Sequence, residues 1–183
     1  MDPSQKQRRS FLFALGGLGL SPLHPRFTTN DRMGHRDGYV LGPDEGEHLV
    51  HFRDHGSIVI KLGAATGSTD LAMGTQQVMV GTGIPIHRHL KMDEAFRVLE
   101  GSGTAILNEV RHSFERGATI FIPENTWHGF ENADNELLLL WTTTPFGLDG
   151  FFRETCSPQG VPSKALTREQ IREIARKYHT EFR

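Results

Sequence analysis

The stretch Gly81–Gly101, GTGIPIHRHLKMDEAFRVLEG, decides how the rest of the chain is read. It places His87 and His89 one residue apart and Glu94 five residues after the second. Histidines at alternate positions of an extended strand point to the same face. Imidazole nitrogen and carboxylate oxygen suit divalent first-row metals, so these three side chains form a candidate ligand set in need of a fourth member. Glu94 cannot share the histidines' strand without a turn, and Leu90-Lys91-Met92-Asp93 gives room for one.

Outward from this stretch, apolar and polar residues alternate in short runs broken by Gly, Pro and Asn. The alternation predicts strands over His48–Phe52, Ser57–Lys61, Gln76–Val80, Glu94–Leu99 and Gly103–Leu107. It continues through Val110–Phe114, Ala118–Ile122, Trp127–Asn132 and Glu136–Thr142. The Arg53–Gly56 segment is turn-like, with a glycine available for positive φ, and Asn108-Glu109 suits a tight hairpin. The run ELLLLW is apolar on both faces, as a strand between layers would be. Many short antiparallel strands imply an all-β sandwich or barrel. After Pro145 the pattern changes: Thr167 and Gln170 have capping-box spacing, and Ile171, Ile174, Ala175, Tyr178 and Phe182 follow at helical spacing. A C-terminal helix packing on the barrel is expected, with Phe151 and Phe152 roofing one barrel end.

Composition narrows the function classes. The chain has 183 residues, enough for one domain with a real core, and a formal net charge of −2 with dispersed Lys and Arg, which argues against a nucleic-acid partner. A small-molecule ligand or substrate is expected instead. The single cysteine, Cys156, excludes both an intramolecular disulfide and a cysteine-based zinc site.

A second segment, GATIFIPENTWHGFEN over Gly117–Asn132, supplies the fourth candidate. Together the two segments resemble the two motifs of the cupin superfamily. Gly81, His87, His89, Glu94 and Gly101 fill the first, and Gly117, Pro123, His128 and Asn132 fill the second except where Asn125 stands at a usual glycine. Asparagine tolerates left-handed geometry, so the turn is expected to survive. The resemblance implies a single-domain antiparallel jelly-roll β-barrel, in which His87, His89, Glu94 and His128 converge on one divalent transition metal. This ligand set suits iron, manganese, nickel, copper, cobalt or zinc. The short span between the motifs is similar to small single-domain bacterial members. In the flavonol-cleaving cupins that the arrangement resembles, the glutamate also acts as a base, which makes Glu94 the candidate catalytic residue.

If Glu94 faces inward, alternation turns Phe96 and Val98 inward, His128 brings Phe130, and Met79 or Val78 joins the wall. Such an apolar cup suits an aromatic substrate. Arg97 alternates to the other face, and Trp127 is expected to point away from the metal. His48, His51, His55 and His112 read as surface or strand-end histidines.

The N-terminus reads as an address. Lys6, Arg8 and Arg9 precede a short apolar stretch, Phe11–Leu20, and Arg8-Arg9-Ser10-Phe11-Leu12 resembles the twin-arginine export signal. The resulting division is a signal segment over 1–27, a linker over 28–39, the cupin barrel over 40–146 and a helical extension over 147–183. Export to the periplasm or cell envelope through the twin-arginine machinery is expected, and a homodimer by analogy. The leading functional expectation is a metal-dependent oxygenase, dioxygenase-like, with a non-catalytic binding cupin and a metal-dependent isomerase or lyase as alternatives.

Overall fold

The computed structural model describes residues 38–183, so the expected export signal and most of the linker lie outside the described residues. The strands in the first half are β1 (Glu47–Val50), β2 (Ser57–Leu62), β3 (Ala72–Val78), β4 (Ile84–His89), β5 (Asp93–Glu100) and β6 (Ser102–Leu107). They are followed by β7 (Val110–Glu115), β8 (Thr119–Ile122), β9 (His128–Glu131) and β10 (Leu137–Thr144). Helix α1 (Leu148–Thr155), β11 (Ser157–Pro158), α2 (Arg168–Lys177) and β12 (Thr180–Phe182) complete the order.

The strands form two sheets, β11-β1-β2-β3-β10-β5-β8 and β12-β4-β9-β6-β7, with antiparallel pairing throughout. This is an all-β jelly roll whose two sheets face each other and are not joined by hydrogen bonds into a closed barrel. Strand alternation decides which residues fill the space between them. Along β10, Leu137, Leu139, Trp141 and Thr143 are buried, whereas Leu138, Leu140 and Thr142 are half-buried on the other side. The ELLLLW run therefore has one core face instead of two.

Aromatic contacts tie the sheets together. Phe96 of β5 meets Phe130 of β9 edge to face at 5.0 Å, and Phe114 of β7 meets the same ring at 5.8 Å. Trp141 is wholly buried and lies over Gly74, where any Cβ would come within 2.5 Å of the indole. The glycine is what lets β3 and the indole approach so closely.

Turn chemistry follows the sequence closely at one hairpin and departs at another. Asn108 and Glu109 take φ of 46° and 74°, the left-handed pair that a two-residue β6–β7 turn requires. In the β1–β2 connection the positive φ, 61°, belongs to His55 and not to Gly56. Gly56 is needed for space: a Cβ there would fall 2.1 Å from the Gln77 carbonyl oxygen.

The C-terminal region is more than a helical extension. Phe151 and Phe152 sit on α1, a helix that periodicity did not reveal, and β11 adds to the edge of β1. Helix α2 opens with the expected capping box, Thr167 Oγ1 accepting from the Gln170 amide at 3.2 Å. It stops at Lys177, because His179 adopts φ of 52° and reverses the chain. Phe182, expected on the helical stripe, is instead in β12, which pairs with β4. Among the described residues no helix is long and apolar enough to cross a membrane.

Candidate metal centre

The four candidate ligands come from three strands and both sheets. His87 and His128 are direct partners across the β4–β9 ladder, and His89 follows His87 on the same face of β4. The turn after His89 carries the chain from the second sheet to the first, so Glu94 on β5 faces the histidines across the interior. One ligand atom from each of His87, His89, Glu94 and His128 lies within 4.8 Å of the others, and all four residues are buried. Asn125, at the departure from the motif, takes φ of 63°, and its amide donates to the His89 carbonyl at 2.6 Å.

The arrangement of protons determines what the cluster can do. His87 Nδ1 is 2.8 Å from the Pro85 carbonyl and His128 Nδ1 is 2.9 Å from the Thr126 carbonyl. A carbonyl only accepts, so each Nδ1 carries a proton and each Nε2 faces inward, free to offer its lone pair to a metal. His89 Nδ1 lies 2.9 Å from Thr180 Oγ1, whose own hydroxyl donates to the Tyr178 carbonyl at 3.3 Å; this leaves the oxygen free to accept from the imidazole. All three rings are thus oriented from behind with Nε2 turned inward, the geometry a metal ligand requires.

Inside the cluster, Glu94 Oε2 is 3.3 Å from His89 Nε2 and 3.2 Å from His128 Nε2. Those three atoms are nevertheless buried without a hydrogen-bond partner, since they converge on a shared point and are not aligned as N–H···O pairs. Burying three unpaired polar atoms is costly unless something between them completes the set. The donor set fits a divalent transition metal, with three neutral imidazoles and one carboxylate. Burial, then the nearby His128 and His89, keep His87 well below the usual imidazole range, and hence neutral. Burial alone would raise the Glu94 carboxyl, but His89 and His128 outweigh it and hold the group below the ordinary carboxylate range.

A cavity of about 380 Å³ opens onto His87, His89 and Glu94, with His128 sealed behind them. Its walls are largely aromatic: Phe52, Phe96, Phe151, Phe152 and Phe182. Phe182 stacks on the His87 ring at 5.5 Å and 27°. Of the wall residues read from sequence, Phe96 lines this cavity, while Val98 and Phe130 are buried in the core outside its lining. Met79 lies past the end of β3 and is half-buried outside the cavity; register puts Val78 in the core and Gln76 on the cavity wall.

Among the remaining histidines, His55 and His112 are exposed and His48 is half-buried at the start of β1. His51 corrects its expectation: it follows β1 directly but is buried, stacked on Phe52 at 4.5 Å and lining the cavity. Its Nδ1 is 3.2 Å from Asp54 Oδ1. Burial pushes the Asp54 carboxyl up, but His51 and Arg53 more than reverse this and hold it well below the usual range. Arg97 is exposed, bonded to Thr119. Trp127 is half-buried, with the guanidinium groups of Arg88 and Arg183 over its ring at 4.5 and 4.7 Å. Sequence reasoning passes over Thr180, which orients His89, and over Arg168 and Arg172 at the cavity mouth. The spacing of those two arginines along α2 was the one available signal for them.

The fold and the tetrad together define an all-β jelly roll that holds a buried cluster of three histidines and one glutamate. Residues 74–144, under half of the chain, match the family described as Cupin domain. A protein of Methanocaldococcus jannaschii, MJ1618, is 36% identical over 58 residues, which is 32% of this chain and 46% of that protein. The match therefore spans under half of the curated relative. Among solved structures, KdgF from Halomonas sp. aligns with a TM-score of 0.52 at 17% identity, covering 62% of this chain and 97% of that one. An RmlC-like cupin from Shewanella frigidimarina aligns with a TM-score of 0.52 at 18% identity, covering 62% and 95%. At these identities the likeness is one of fold.

Proposed function

We propose that the chain is a metal-dependent cupin enzyme, an oxygenase acting on a small aromatic or enolic substrate. The observation that carries this is the convergence of three inward-facing Nε2 atoms and the Glu94 carboxylate at one end of an aromatic-walled cavity. His87, His89, Glu94 and His128 hold the metal, which when bound polarises a substrate oxygen and, as iron, copper, manganese or nickel, supplies redox chemistry. The aromatic walls seat the substrate ring and exclude water from it. Glu94, a carboxylate on the cavity wall, accepts the proton of the substrate hydroxyl.

The test is elemental analysis of the purified protein followed by oxygen uptake with a panel of phenols and enols. The expected result is one equivalent of a redox metal and uptake that ends on metal removal. Turnover that proceeds equally well without oxygen would replace the oxygenase reading with isomerase or lyase chemistry. A full metal complement with no uptake across the panel would reject it.

We further propose that the protein is exported from the cytoplasm by the twin-arginine machinery. Support comes from Arg8-Arg9-Ser10-Phe11-Leu12 alone, and a reporter fused to residues 1–30 that stays cytoplasmic would refute it. A homodimer is proposed by analogy and is checked by light scattering.

A further inference from the structure

Apart from the candidate ligands, the charged lining of the cavity is cationic. Arg53, Arg168, Arg172 and Arg183 line it, and Glu94 is the only carboxylate among the described lining residues. Glu94 is committed to the imidazole cluster. Arg183 reaches Glu109 at 3.3 Å and covers Trp127, and Arg53 reaches Asp54 at 3.4 Å. Arg168 and Arg172 differ: both are exposed, and neither has a hydrogen-bond or ion-pair partner among the described residues.

Helix energetics do not account for that pair. The two arginines stand one turn apart in the N-terminal half of α2, where like charges at this spacing repel and a cation opposes the helix dipole. A guanidinium is a planar donor fork suited to carboxylate, sulfonate or phosphate oxygens, and two of them on one rim attract an anion. Much of the remaining wall is apolar, with five phenylalanines, so the molecule that satisfies both features is neither a simple inorganic anion nor a neutral hydrocarbon.

We propose that the cavity binds an amphipathic organic anion. Its apolar body sits among Phe96, Phe151, Phe152 and Phe182, and its anionic group is held by Arg168 and Arg172 at the mouth. The inference rests on the reading of this cavity as the substrate pocket, and it names the class: an aromatic or enolic acid instead of a neutral phenol.

Two fluorescent probes with one shared body test this, 8-anilinonaphthalene-1-sulfonate and N-phenyl-1-naphthylamine, which lacks the sulfonate. Titration of the metal-free and zinc-loaded protein should give tighter binding of the sulfonate, with an advantage that shrinks as salt rises. In the Arg168→Gln/Arg172→Gln double variant, sulfonate affinity should fall roughly tenfold, the effect of two partly exposed ion pairs, and neutral-probe affinity should hold. Glutamine preserves helix propensity on an exposed face, and an unchanged melting temperature confirms the fold. 1-Naphthoate should displace the sulfonate probe, whereas inorganic phosphate at the same concentration should not.

Equal affinity of the two probes, no binding of the sulfonate, unchanged sulfonate affinity in the double variant, or displacement by phosphate alone would each overturn the proposal. The metal-free arm separates the two readings. A chain that shows the anion preference but takes up no metal refutes the enzyme and keeps this site, and the converse removes this site alone.

Discussion

Thr180→Val removes the oxygen that accepts from His89 Nδ1 at 2.9 Å and leaves a methyl group of similar size in its place. The site is buried, with Thr180 only 4% exposed, so water does not readily replace the lost acceptor. An orphaned, buried N–H costs about 1–3 kcal/mol. Without metal, the ring can lessen that cost by moving its proton to Nε2, which then faces the Glu94 carboxylate 3.3 Å away, although a small rotation of the side chains is needed to align the two. With metal bound it cannot, because Nε2 must then be bare. The penalty therefore falls on the metal-bound form, and zinc affinity should drop roughly ten- to hundredfold while the metal-free melting temperature moves little. Chelator-competition titration of wild type, Thr180→Val and Thr180→Ser measures this, with serine restoring the acceptor. Unchanged affinity in Thr180→Val, or the same loss in both variants, would refute the argument that the hydroxyl sets the His89 tautomer.

Further outcomes follow from other parts of the molecule. His128→Ala should abolish stoichiometric metal and the metal-dependent rise in melting temperature together; retention of a full equivalent would remove His128 from the site. The charged form of Asp54, held below the ordinary carboxylate range, stabilises the fold above about pH 4, and this contribution is lost as pH falls toward the folded value. Burial chiefly lowers His51, so its stabilisation is also lost on acidification below about pH 6.5. Asp54→Asn should accordingly flatten the acid limb of the metal-free melting temperature between about pH 5 and pH 3, and an acid limb parallel to that of wild type would count against the coupling. Thr167→Ala deletes the α2 cap and should cost about 1 kcal/mol, read as faster amide exchange within Arg168–Lys177. Unaltered exchange there would show that packing alone holds the helix.

The metal tetrad was legible because its cues are local. His87 and His89 alternate on one strand, Glu94 follows one turn later, and His128 belongs to a second segment with its own glycine, proline and asparagine positions. The Asn108-Glu109 hairpin and the α2 cap were legible for the same reason. What escaped depends on contacts distant in sequence. His51 has an ordinary strand-end context, and only the packing of α1 against β3, with Phe152 edge-on to the imidazole, turns it into a cavity residue. Phe182 keeps helical spacing with the α2 stripe, yet a single left-handed residue, His179, ends that run and sends it into β12. Thr180 carries no motif at all; its role exists because β12 lies beside β4, 91 residues from the histidine it orients.

The division of the cavity between two parts of the chain has a further consequence. Every candidate metal ligand lies within 74–144, the span shared with the family. Phe151, Phe152, Arg168, Arg172 and Phe182, which line the rest of the cavity, all lie beyond it. Changes in α1 and α2 can therefore alter what enters the cup without touching the four candidate ligands, whereas β12 cannot change freely, because Thr180 and Phe182 on it contact His89 and His87. The ligand cluster and the part of the cup wall beyond it are thus carried by separable stretches of chain, joined at β12.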